Sequence, residues 1–458
     1  MPTPTIEAGA IPPDVLGICR RLRDAGHAAF VVGGSVRDLL VGRVPGDFDV
    51  ATSALPEATM GIFGKRYAIP TGLQHGTVTV LAGSYSAQRH VEVTTFRGEG
   101  AYLDGRRPST VTFGATLDED LARRDFTMNA IAFDPVSGEL FDPFDGQGDM
   151  ARKMVRAVGN PVLRFTEDGL RPMRAVRQAA QLGFDLAPDT QAAIPLTFES
   201  FRKVSAERIR DELRKLLLAP RPSRGLDLMR VTELLAEVLP EMLPTIGCVQ
   251  NRFHKHDVYQ HILATVDAAI PDFVVRMAAL LHDLGKPQTQ APREDAPGEY
   301  SFFRHEQVGV DIAETICTRL KLSAAERTEI CALVGGHMFF YTPDWTDGTV
   351  RRFVKRVGPD LVPPLFALRE ADVASRGRGE DPQCETRDLR ARIAQVAAED
   401  AALRVTDLAI DGKDVMRVLG IPGSRRVGEI LEQLLEKVLD DPKLNEEATL
   451  EAMVRAML

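Results

Sequence analysis

The stretch from Gly33 to Thr52, "GGSVRDLLVGRVPGDFDVAT", contains a diglycine turn, a short helical segment and two closely spaced acids. Ser35 is the predicted N-cap of the helix, and "DFDVAT" is typical of a strand. Residues two apart in a strand face the same side, so Asp47 and Asp49 should project together, about 7 Å apart. Two such carboxylates repel each other. A hard divalent cation, which prefers oxygen ligands, would remove this repulsion, so the pair is a candidate metal site.

The turn and helix of this stretch suit a phosphate. Gly33 and Gly34 lead into a helix N-terminus, where backbone N–H groups and the helix dipole attract anions. Arg37, one turn further, is expected to reach the same phosphates. The alternative is a surface hairpin with two solvated aspartates, which would be favoured if D-x-D stood alone. The G-G-x-V-R-D element just upstream favours the metal and phosphate site instead.

The surrounding sequence predicts an α+β fold, with a small β-sheet followed by helical domains. Residues 14–25 are predicted as a helix, and "AAFVVGG", "GTVTVLAG" and "HVEVTTFR" as strands. Beyond residue 165 strand patterns nearly vanish, and "SAERIRDELRKLLLA" and "GEILEQLLEKVL" have helical periodicity. Residues 291–301 and 375–388 are predicted as a loop and a linker.

Length and composition indicate a soluble protein of several domains. The chain has 458 residues and a net charge of −9, which argues against a protein that coats nucleic acid everywhere. Residues 151–225, however, contain 15 Lys and Arg against 8 Asp and Glu, so a local anion-binding surface is expected there, with a solvated helical face as the alternative. No membrane helix or secretory signal is predicted. The five scattered cysteines predict free thiols in a reducing cytoplasm.

The opening stretch resembles the signature of the nucleotidyltransferase superfamily, in its tRNA CCA-adding branch. Further stretches resemble that family's motifs in the family's order: the loop at 91–113, "DLARRDFTMNAIA" (120–132), "FDPFDGQGDM" (141–150), "RFTEDGLRPMRAVRQAAQLGF" (164–184) and "VSAERIRDELRKLL" (204–217). The likeness covers about the first half of the chain. The tail stretch "DLAIDGKDVMRVLGIPGSRR" resembles the tail of the same enzymes, where Arg425 and Arg426 are either tRNA contacts or solvated.

The resemblance implies a catalytic metal site for Mg²⁺ at Asp47 and Asp49, with Glu92 as a possible third acid. It also implies a set of nucleotide-binding residues: Gly34, Arg37, Arg124, Asp125, Asp168, Arg171, Arg174 and Arg177. To select C and A without a template, side chains must imitate a base-pairing edge. A carboxylate can accept an exocyclic amine, and a guanidinium donates in a fixed fork.

Asp168 and Arg171 are three residues apart and are therefore expected on one face of a helix. Pro172 departs from the family pattern, because proline inside a helix removes a hydrogen bond. Either the helix begins later than that pattern suggests, or it bends at the recognition pair.

A second constellation lies further along the chain, where six of the nine histidines fall between residues 254 and 337. Imidazole and carboxylate together suit a transition metal with open positions for water and phosphate. "LLHDLGKP" and its surroundings resemble the HD phosphohydrolase domain. That resemblance implies metal ligands at His261, His282, Asp283 and Asp372. His305 and His337 are candidates for a second metal or a phosphate, and His254 and His256 are expected outside the site. The alternative is a metal-free helical scaffold.

The resemblances imply a cytoplasmic tRNA nucleotidyltransferase that adds CCA to tRNA 3′ ends from CTP and ATP. The predicted domains are a catalytic head (1–150), a helical neck for base and RNA binding (151–250), an HD domain (251–380) and a helical tail for tRNA (381–458). Mg²⁺ is expected in the head, and Mn²⁺, Ni²⁺ or Mg²⁺ in the HD domain. Neither DNA nor a membrane is an expected partner.

Addition of A only or CC only, poly(A) synthesis, and a phosphohydrolase with an inactive head are the alternatives. CC-only addition is the least favoured, because the loop "RGEGAYLDGRRP" resembles that of enzymes that switch to ATP.

Overall fold

The computed structural model describes residues 6–7, 9–83, 88–98, 112–250, 255–377, 379–398 and 404–457. The chain divides into two compact units, Met1–Pro240 and Glu241–Leu458. The finer division into four domains stays a prediction. Most of the loop at 91–113 and His254 lie outside the described residues.

The first unit contains a seven-stranded mixed sheet. The strands of this unit are β1 (Ala29–Val32), β2 (Asp49–Thr52), β3 (Ala68–Gly72), β4 (Thr77–Ala82), β5 (Arg89–Thr95), β6 (Arg97–Gly98), β7 (Thr112–Phe113), β8 (Ala132–Phe133), β9 (Leu140–Phe141), β10 (Met154–Val155) and β11 (Asp185–Leu186). The order in the large sheet is β3-β4-β5-β2-β1-β8-β9. The β2–β5 pair is parallel, and its register sets Asp49 beside Glu92. On the other side of β2, antiparallel β1 sets Val32 beside Asp49.

Helices cover the sheet and continue into the second half of this unit. They are α1 (Pro13–Asp24), α2 (Gly34–Leu40), α3 (Pro56–Phe63), α4 (Leu117–Ala122), α5 (Gly146–Ala151), α6 (Pro161–Glu167), α7 (Arg171–Leu182), α8 (Pro188–Ala193), α9 (Phe198–Phe201), α10 (Ala206–Leu217), α11 (Pro222–Val231) and α12 (Leu234–Val238). Helix α7 packs against α10 and α11, burying Met173, Val176, Leu213 and Leu216. This buried helical face holds the cleft-facing residues of α7 in place.

The second unit is mainly helical. It contains α13 (Val258–Ala268), α14 (Phe273–Leu281), α15 (Lys286–Thr289), α16 (His305–Arg319), α17 (Ala324–Gly336), α18 (Asp347–Val357), α19 (Val362–Ser375), α20 (Arg387–Ala398), α21 (Gly412–Leu419), α22 (Arg425–Asp440) and α23 (Glu447–Arg455), with the strands β12 (Gln290–Pro292) and β13 (Tyr300–Phe302). Helices α13, α14, α17 and α19 pack together. The last three helices share a separate core that includes Leu434, Leu435 and Leu450.

The structure confirms the predicted α+β class and corrects several local expectations. Helix α2 begins at Gly34, so Ser35 is not its N-cap; the Ser35 hydroxyl donates to the Val32 carbonyl at 3.1 Å instead. Strand β2 begins at Asp49, which leaves Asp47 outside the strand. The predicted loop at 291–301 begins and ends within paired strands, β12 and β13, so only its middle connects them. The short β10–β11 ladder likewise interrupts the otherwise helical neck.

All five cysteines are free, as expected. Within the described ranges, no helix is both long and apolar enough to cross a membrane.

Candidate functional site

Asp49 is the first residue of β2 and lies between two neighbouring strands. Glu92, its partner on β5, is exposed, and so is Asp47 in the segment before the strand. Burial raises the pKa of Asp49 to about 6, and the negative charges of Asp47 and Glu92 add to this effect, while Arg124 opposes it. Asp47 and Asp49 therefore do not share one strand face as predicted, yet their charges still interact.

The diglycine turn lies directly against this acidic group. Gly33 has a φ of +77°, a left-handed conformation that favours glycine. A Cβ atom at Gly33 would lie 2.9 Å from Arg124 Nη1 and 3.8 Å from Asp49 Oδ2. The left-handed backbone favours glycine more than the space does, because the end of the Arg124 side chain can move.

A cleft of about 330 Å³ opens beside Asp49. Its polar lining consists of Asp49, Thr77, Glu92, Thr94, Arg97, Arg123, Arg124, Asp125, Asp168, Arg171 and Arg174. Six predicted site residues therefore meet in one place, although they are up to 125 positions apart in the sequence. Of the predicted residues that the structure describes, Gly34, Arg37, Asp47 and Arg177 are not in the lining.

Arg37 belongs to an internal network rather than to the cleft wall. Its Nη1 donates to Asn129 Oδ1 and to Gln178 Oε1, both at 2.8 Å, and its Nε and Nη2 donate to Asp38. Most of the Arg37 donors thus have protein partners, and the expected contact of Arg37 with phosphates stays a prediction. Arg37 also joins α2 to α7, which contains Gln178.

The network continues to the cleft through Asp125. Asn129 Nδ2 donates to Asp125 Oδ1 at 2.9 Å, and the Arg174 guanidinium donates twice to Asp125 Oδ2, at 2.9 and 2.6 Å. Burial alone would raise the pKa of Asp125, but Arg174 and Asn129 hold it well below its usual range. Asp125 is therefore an ionised brace for Arg174. Arg177 is buried and donates to Glu212 and Gln181, so it too is a bracing residue.

Asp168 and Arg171 do not share a helix face, contrary to prediction. Helix α6 ends at Glu167, Asp168 is extended with a φ of −132°, and α7 begins at Arg171. Pro172 thus occupies the first turn of α7, where proline costs no hydrogen bond. Of the two possibilities raised by Pro172, a later helix start is the one that the structure shows.

Each of these two side chains is fixed separately at the cleft. Arg171 Nη1 donates to the Arg164 carbonyl at 2.7 Å and to Glu167 at 2.8 Å, and its Nη2 donates to the Arg123 carbonyl at 3.0 Å. Both oxygens of Asp168 accept from Arg208 on α10, at 3.2 and 3.1 Å.

Gly169 allows the turn that presents Asp168. A Cβ atom there would lie 2.2 Å from the Ser200 carbonyl oxygen. The turn is therefore packed directly against the backbone of α9.

Sequence reasoning missed Arg208, Glu167 and Glu212 as site residues. All three lie inside the stretches that resemble family motifs, which was the available signal. The ion pair between Asp168 and Arg208, however, spans 40 residues, and no local spacing reveals such a pair.

The second unit contains a buried cluster of four histidines and two aspartates. His261, His282 and Asp372 form one group of potential ligands, and Asp283, His305 and His337 form another. Asp283 connects the two groups: its Oδ2 lies 3.3 Å from His261 Nε2 and 3.2 Å from His282 Nε2, and its Oδ1 lies 3.3 Å from His305 Nε2. All four predicted ligands are thus together, joined by the two additional histidines. His256 does not belong to either group.

The orientation of the imidazoles suits metal binding. The Nδ1 atoms of His282, His305 and His337 face the backbone carbonyls of Ala279, Phe302 and Val334 at 2.8, 2.8 and 2.6 Å. Because a carbonyl only accepts, each Nδ1 carries the proton and each Nε2 presents a lone pair. His305 Nε2 and His337 Nε2 lie 3.2 Å apart, a contact between lone pairs that a cation would relieve. The residues therefore fit one or two divalent metal ions.

Positive side chains surround the two aspartates of this cluster. Lys286 Nζ lies 2.6 Å from Asp283 Oδ2, and Arg369 and Arg376 lie 3.0 and 3.1 Å from Asp372 Oδ2. Although burial opposes ionisation, nearby histidines and these cations hold the pKa of both carboxyl groups well below the usual range. Lys286 was missed from the sequence, although it follows the His-Asp pair by three positions.

Family comparisons divide the chain into three matched segments. Residues 29–156 match the Poly A polymerase head domain, residues 183–245 match the probable RNA and SrmB-binding site of polymerase A, and residues 258–398 match the HD domain.

Individual relatives are CCA-adding enzymes. Those of Geobacillus stearothermophilus and Lactobacillus johnsonii are each 49% identical over 223 residues, which are 49% of this chain and 54% of the relative. The chain thus spans about half the length of the curated relatives it matches. A Thermotoga maritima CCA-adding enzyme complexed with tRNA is similar in fold, with 17% identity and a TM-score of 0.57 over 98% of this chain and 97% of that one.

One solved structure is similar over nearly the whole length. The crystal structure of the Bacillus stearothermophilus CCA-adding enzyme in complex with CTP has 31% identity and a TM-score of 0.72, and the match covers 98% of both chains. The chain therefore belongs to the family of bacterial CCA-adding enzymes, with a poly(A) polymerase head, an RNA-binding segment and an HD domain.

Proposed function

We propose that the chain adds CCA to the 3′ end of tRNA, using CTP and ATP. The observation that carries this proposal is one cleft of the first unit, where Asp49 and Glu92 meet the base-reading candidates Asp168 and Arg171. In each step the tRNA 3′-hydroxyl attacks the α-phosphate of the nucleotide, and pyrophosphate leaves.

Asp47 and Asp49, with Glu92 as a third acid, are the proposed holders of Mg²⁺. Burial and mutual repulsion raise the pKa of Asp49, as expected for carboxylates gathered without an internal cation, and their oxygen atoms suit a hard metal ion. A bound Mg²⁺ supplies charge neutralisation for the triphosphate and a more acidic attacking hydroxyl. Arg124 and Arg174 add positive charge to the same cleft, and Arg174 is kept in position by Asp125.

Base selection is assigned to Asp168 and Arg171. An ionised carboxylate accepts from the exocyclic amine that cytosine and adenine share, and Arg171 donates to a ring acceptor. Uracil and guanine do not present that pattern. Because both side chains are fixed by other protein groups, the site is rigid enough to select without a template. Gly34, Arg37 and Arg177 contribute through the turn and the bracing network rather than by contact with the cleft.

The deciding experiment offers three tRNAs, ending at the discriminator base, at C and at CC, with CTP and ATP separately and together. Completion of CCA on all three supports the proposal. Addition of A alone to the tRNA ending in CC identifies an A-adding enzyme, addition that stops at CC identifies a CC-adding one, and long A tails identify a poly(A) polymerase. No addition to any acceptor contradicts the proposal.

A second activity, hydrolysis of phosphate esters, is proposed for the HD domain. The buried cluster of four histidines and two aspartates supports it, with Mn²⁺, Ni²⁺ or Mg²⁺ as the candidate metals. A metal ion in such a site activates water, and 2′,3′-cyclic phosphates at damaged tRNA ends are the expected substrates. The test measures release of product from 2′,3′-cyclic AMP and bis(p-nitrophenyl) phosphate with each metal. Absence of hydrolysis with all three makes this domain a scaffold.

The proposed partners are thus the tRNA acceptor end, CTP and ATP, in the cytoplasm. Five free cysteines support a reducing compartment.

A further inference from the structure

Arg208 connects the neck helix α10 to the base-reading carboxylate. It is the third residue of α10, and its Nη2 donates to both oxygens of Asp168, at 3.2 and 3.1 Å. Asp168 Oδ1 also accepts from the backbone N–H of Leu170, at 3.1 Å. Three donor contacts therefore orient a carboxylate that no other side chain of the described residues holds by a hydrogen bond.

Arg171 is not available to orient Asp168. Both hydrogen atoms of its Nη1 serve Arg164 and Glu167, and its Nη2 serves the Arg123 carbonyl. The two base-reading side chains therefore have separate supports. Arg171 depends on Arg164 and Glu167 and on the Arg123 carbonyl, whereas Asp168 depends on Arg208 of a helix that begins about 40 residues later.

Arg208 also has a donor to spare. Its Nη1 is buried and, among the described residues, has no hydrogen-bond partner. A buried N–H group without an acceptor costs free energy, about as much as a lost hydrogen bond. One nitrogen of the guanidinium, Nη2, thus holds Asp168, and the other, Nη1, retains an unpaired donor.

We propose that Arg208 is a positioning residue that sets nucleotide choice through Asp168. It keeps the carboxylate turned so that its free lone pairs accept the amine of cytosine or adenine. An ionised carboxylate has no hydrogen to donate, so it rejects the carbonyl that uracil and guanine present at that place. The proposal rests on the nucleotide addition proposed above.

The test compares Arg208→Gln, Arg208→Lys and Asp168→Asn with wild type. For each, kcat and KM are measured for CTP and UTP on tRNA ending at the discriminator base, and for ATP and GTP on tRNA ending in CC. Arg208→Gln should lower the preference for CTP over UTP about tenfold or more, mainly by raising KM for CTP. Arg208→Lys should restore part of the preference, since a single nitrogen makes both contacts in the structure.

A matched control is Arg202→Gln, which removes an ion pair with Glu237 in the same unit and takes away no hydrogen bond to Asp168. It should leave the preference unchanged. The double variant Arg208→Gln, Asp168→Asn should discriminate no worse than Asp168→Asn alone, because Arg208 acts through Asp168.

Unchanged preference in Arg208→Gln would overturn the inference, and so would a further loss in the double variant. If Arg208→Gln does not fold, Arg208→Lys decides: a preference between those of wild type and Asp168→Asn supports the inference, and one equal to that of Asp168→Asn contradicts it. A wild-type protein that adds no nucleotide contradicts the proposed function instead.

Discussion

Two aspartates of the first unit, Asp49 and Asp125, have neighbours that shift their pKa in opposite directions. Asp49 is an acid whose charged form is disfavoured, since burial and two further carboxylates raise its pKa to about 6. Asp125 is the opposite case: although it is buried, Arg174 and Asn129 hold its pKa well below the usual range for an aspartate. A bound cation would favour the charged form of Asp49, whereas Asp125 is already paired with Arg174.

Asp47→Asn and Asp49→Asn are each expected to lower CMP addition at least about a hundredfold, because direct loss of a metal ligand should exceed the effect of losing an outer partner. Quench-flow or gel assays on tRNA ending at the discriminator base measure this rate. Without metal, Asp49→Asn should unfold at the same or a higher temperature, since a raised pKa means that the ionised carboxylate costs folding free energy above that pKa.

The exposed Asp24→Asn variant, at the end of α1, serves as the control and should retain addition within about twofold. Wild-type rates in both Asp47→Asn and Asp49→Asn would show that the acids hold no essential metal.

At the scale of elements, α2 and α7 are tied together through Arg37. Its contacts with Asn129 and Gln178 span 92 and 141 residues, so they join the signature helix to the helix that follows the base-reading turn. Arg37→Gln should lower the free energy of unfolding of the first unit by about 2–4 kcal/mol, because buried acceptors lose their partner. Urea denaturation followed by circular dichroism measures this change.

Arg43→Gln is the matched variant for Arg37. Arg43 also reaches α7, through the Gln181 carbonyl at 3.1 Å, but it is exposed. It should cost less than about 1 kcal/mol. Equal losses of unfolding free energy in the two variants would show that burial of the Arg37 network does not add to its contribution to stability.

Pro172 gives a second prediction at this scale. Because it lies in the first turn of α7, Pro172→Ala should change the unfolding free energy by no more than about 1 kcal/mol and leave nucleotide choice intact. Ala175→Pro, placed inside the same helix, should cost about 3 kcal/mol or more. Thermal unfolding and a CTP against UTP competition measure both effects. Altered choice in Pro172→Ala would show that the proline itself shapes the recognition turn.

Local sequence patterns predict the strands well, because β1, β4 and β5 have buried or alternating apolar residues. The patterns also predict the His-Asp cluster, whose residue types are rare in an apolar helix. They misplace Asp168, since α6 ends at Glu167 and Asp168 itself is extended, so it shares no helix with Arg171. They also miss the protein contacts of Arg37, because partners such as Gln178 are brought near only in the folded chain.

At the scale of the whole molecule, the two candidate sites belong to different compact units. Asp49 lies in the first and the His-Asp cluster in the second. A His282→Ala, Asp283→Ala variant should therefore keep addition of CMP and AMP within about twofold. It should lose hydrolysis of 2′,3′-cyclic AMP with Mn²⁺, Ni²⁺ or Mg²⁺. The reciprocal variant, Asp49→Asn, should show the opposite pattern.

Circular dichroism of both variants is the control for folding. Loss of addition in a folded His282→Ala, Asp283→Ala variant would contradict independent sites, because the first unit contains none of the substituted residues.

The close contact between Gly169 and the Ser200 carbonyl limits how this enzyme can diversify. No side chain fits at position 169 without moving backbone, since even a methyl group would lie 2.2 Å from that oxygen. Single substitutions at Gly169 are therefore expected to disrupt the turn. If nucleotide selection lies where we propose, a different preference is expected to arise by exchange of the side chains at 168, 171 or 208, with the turn retained.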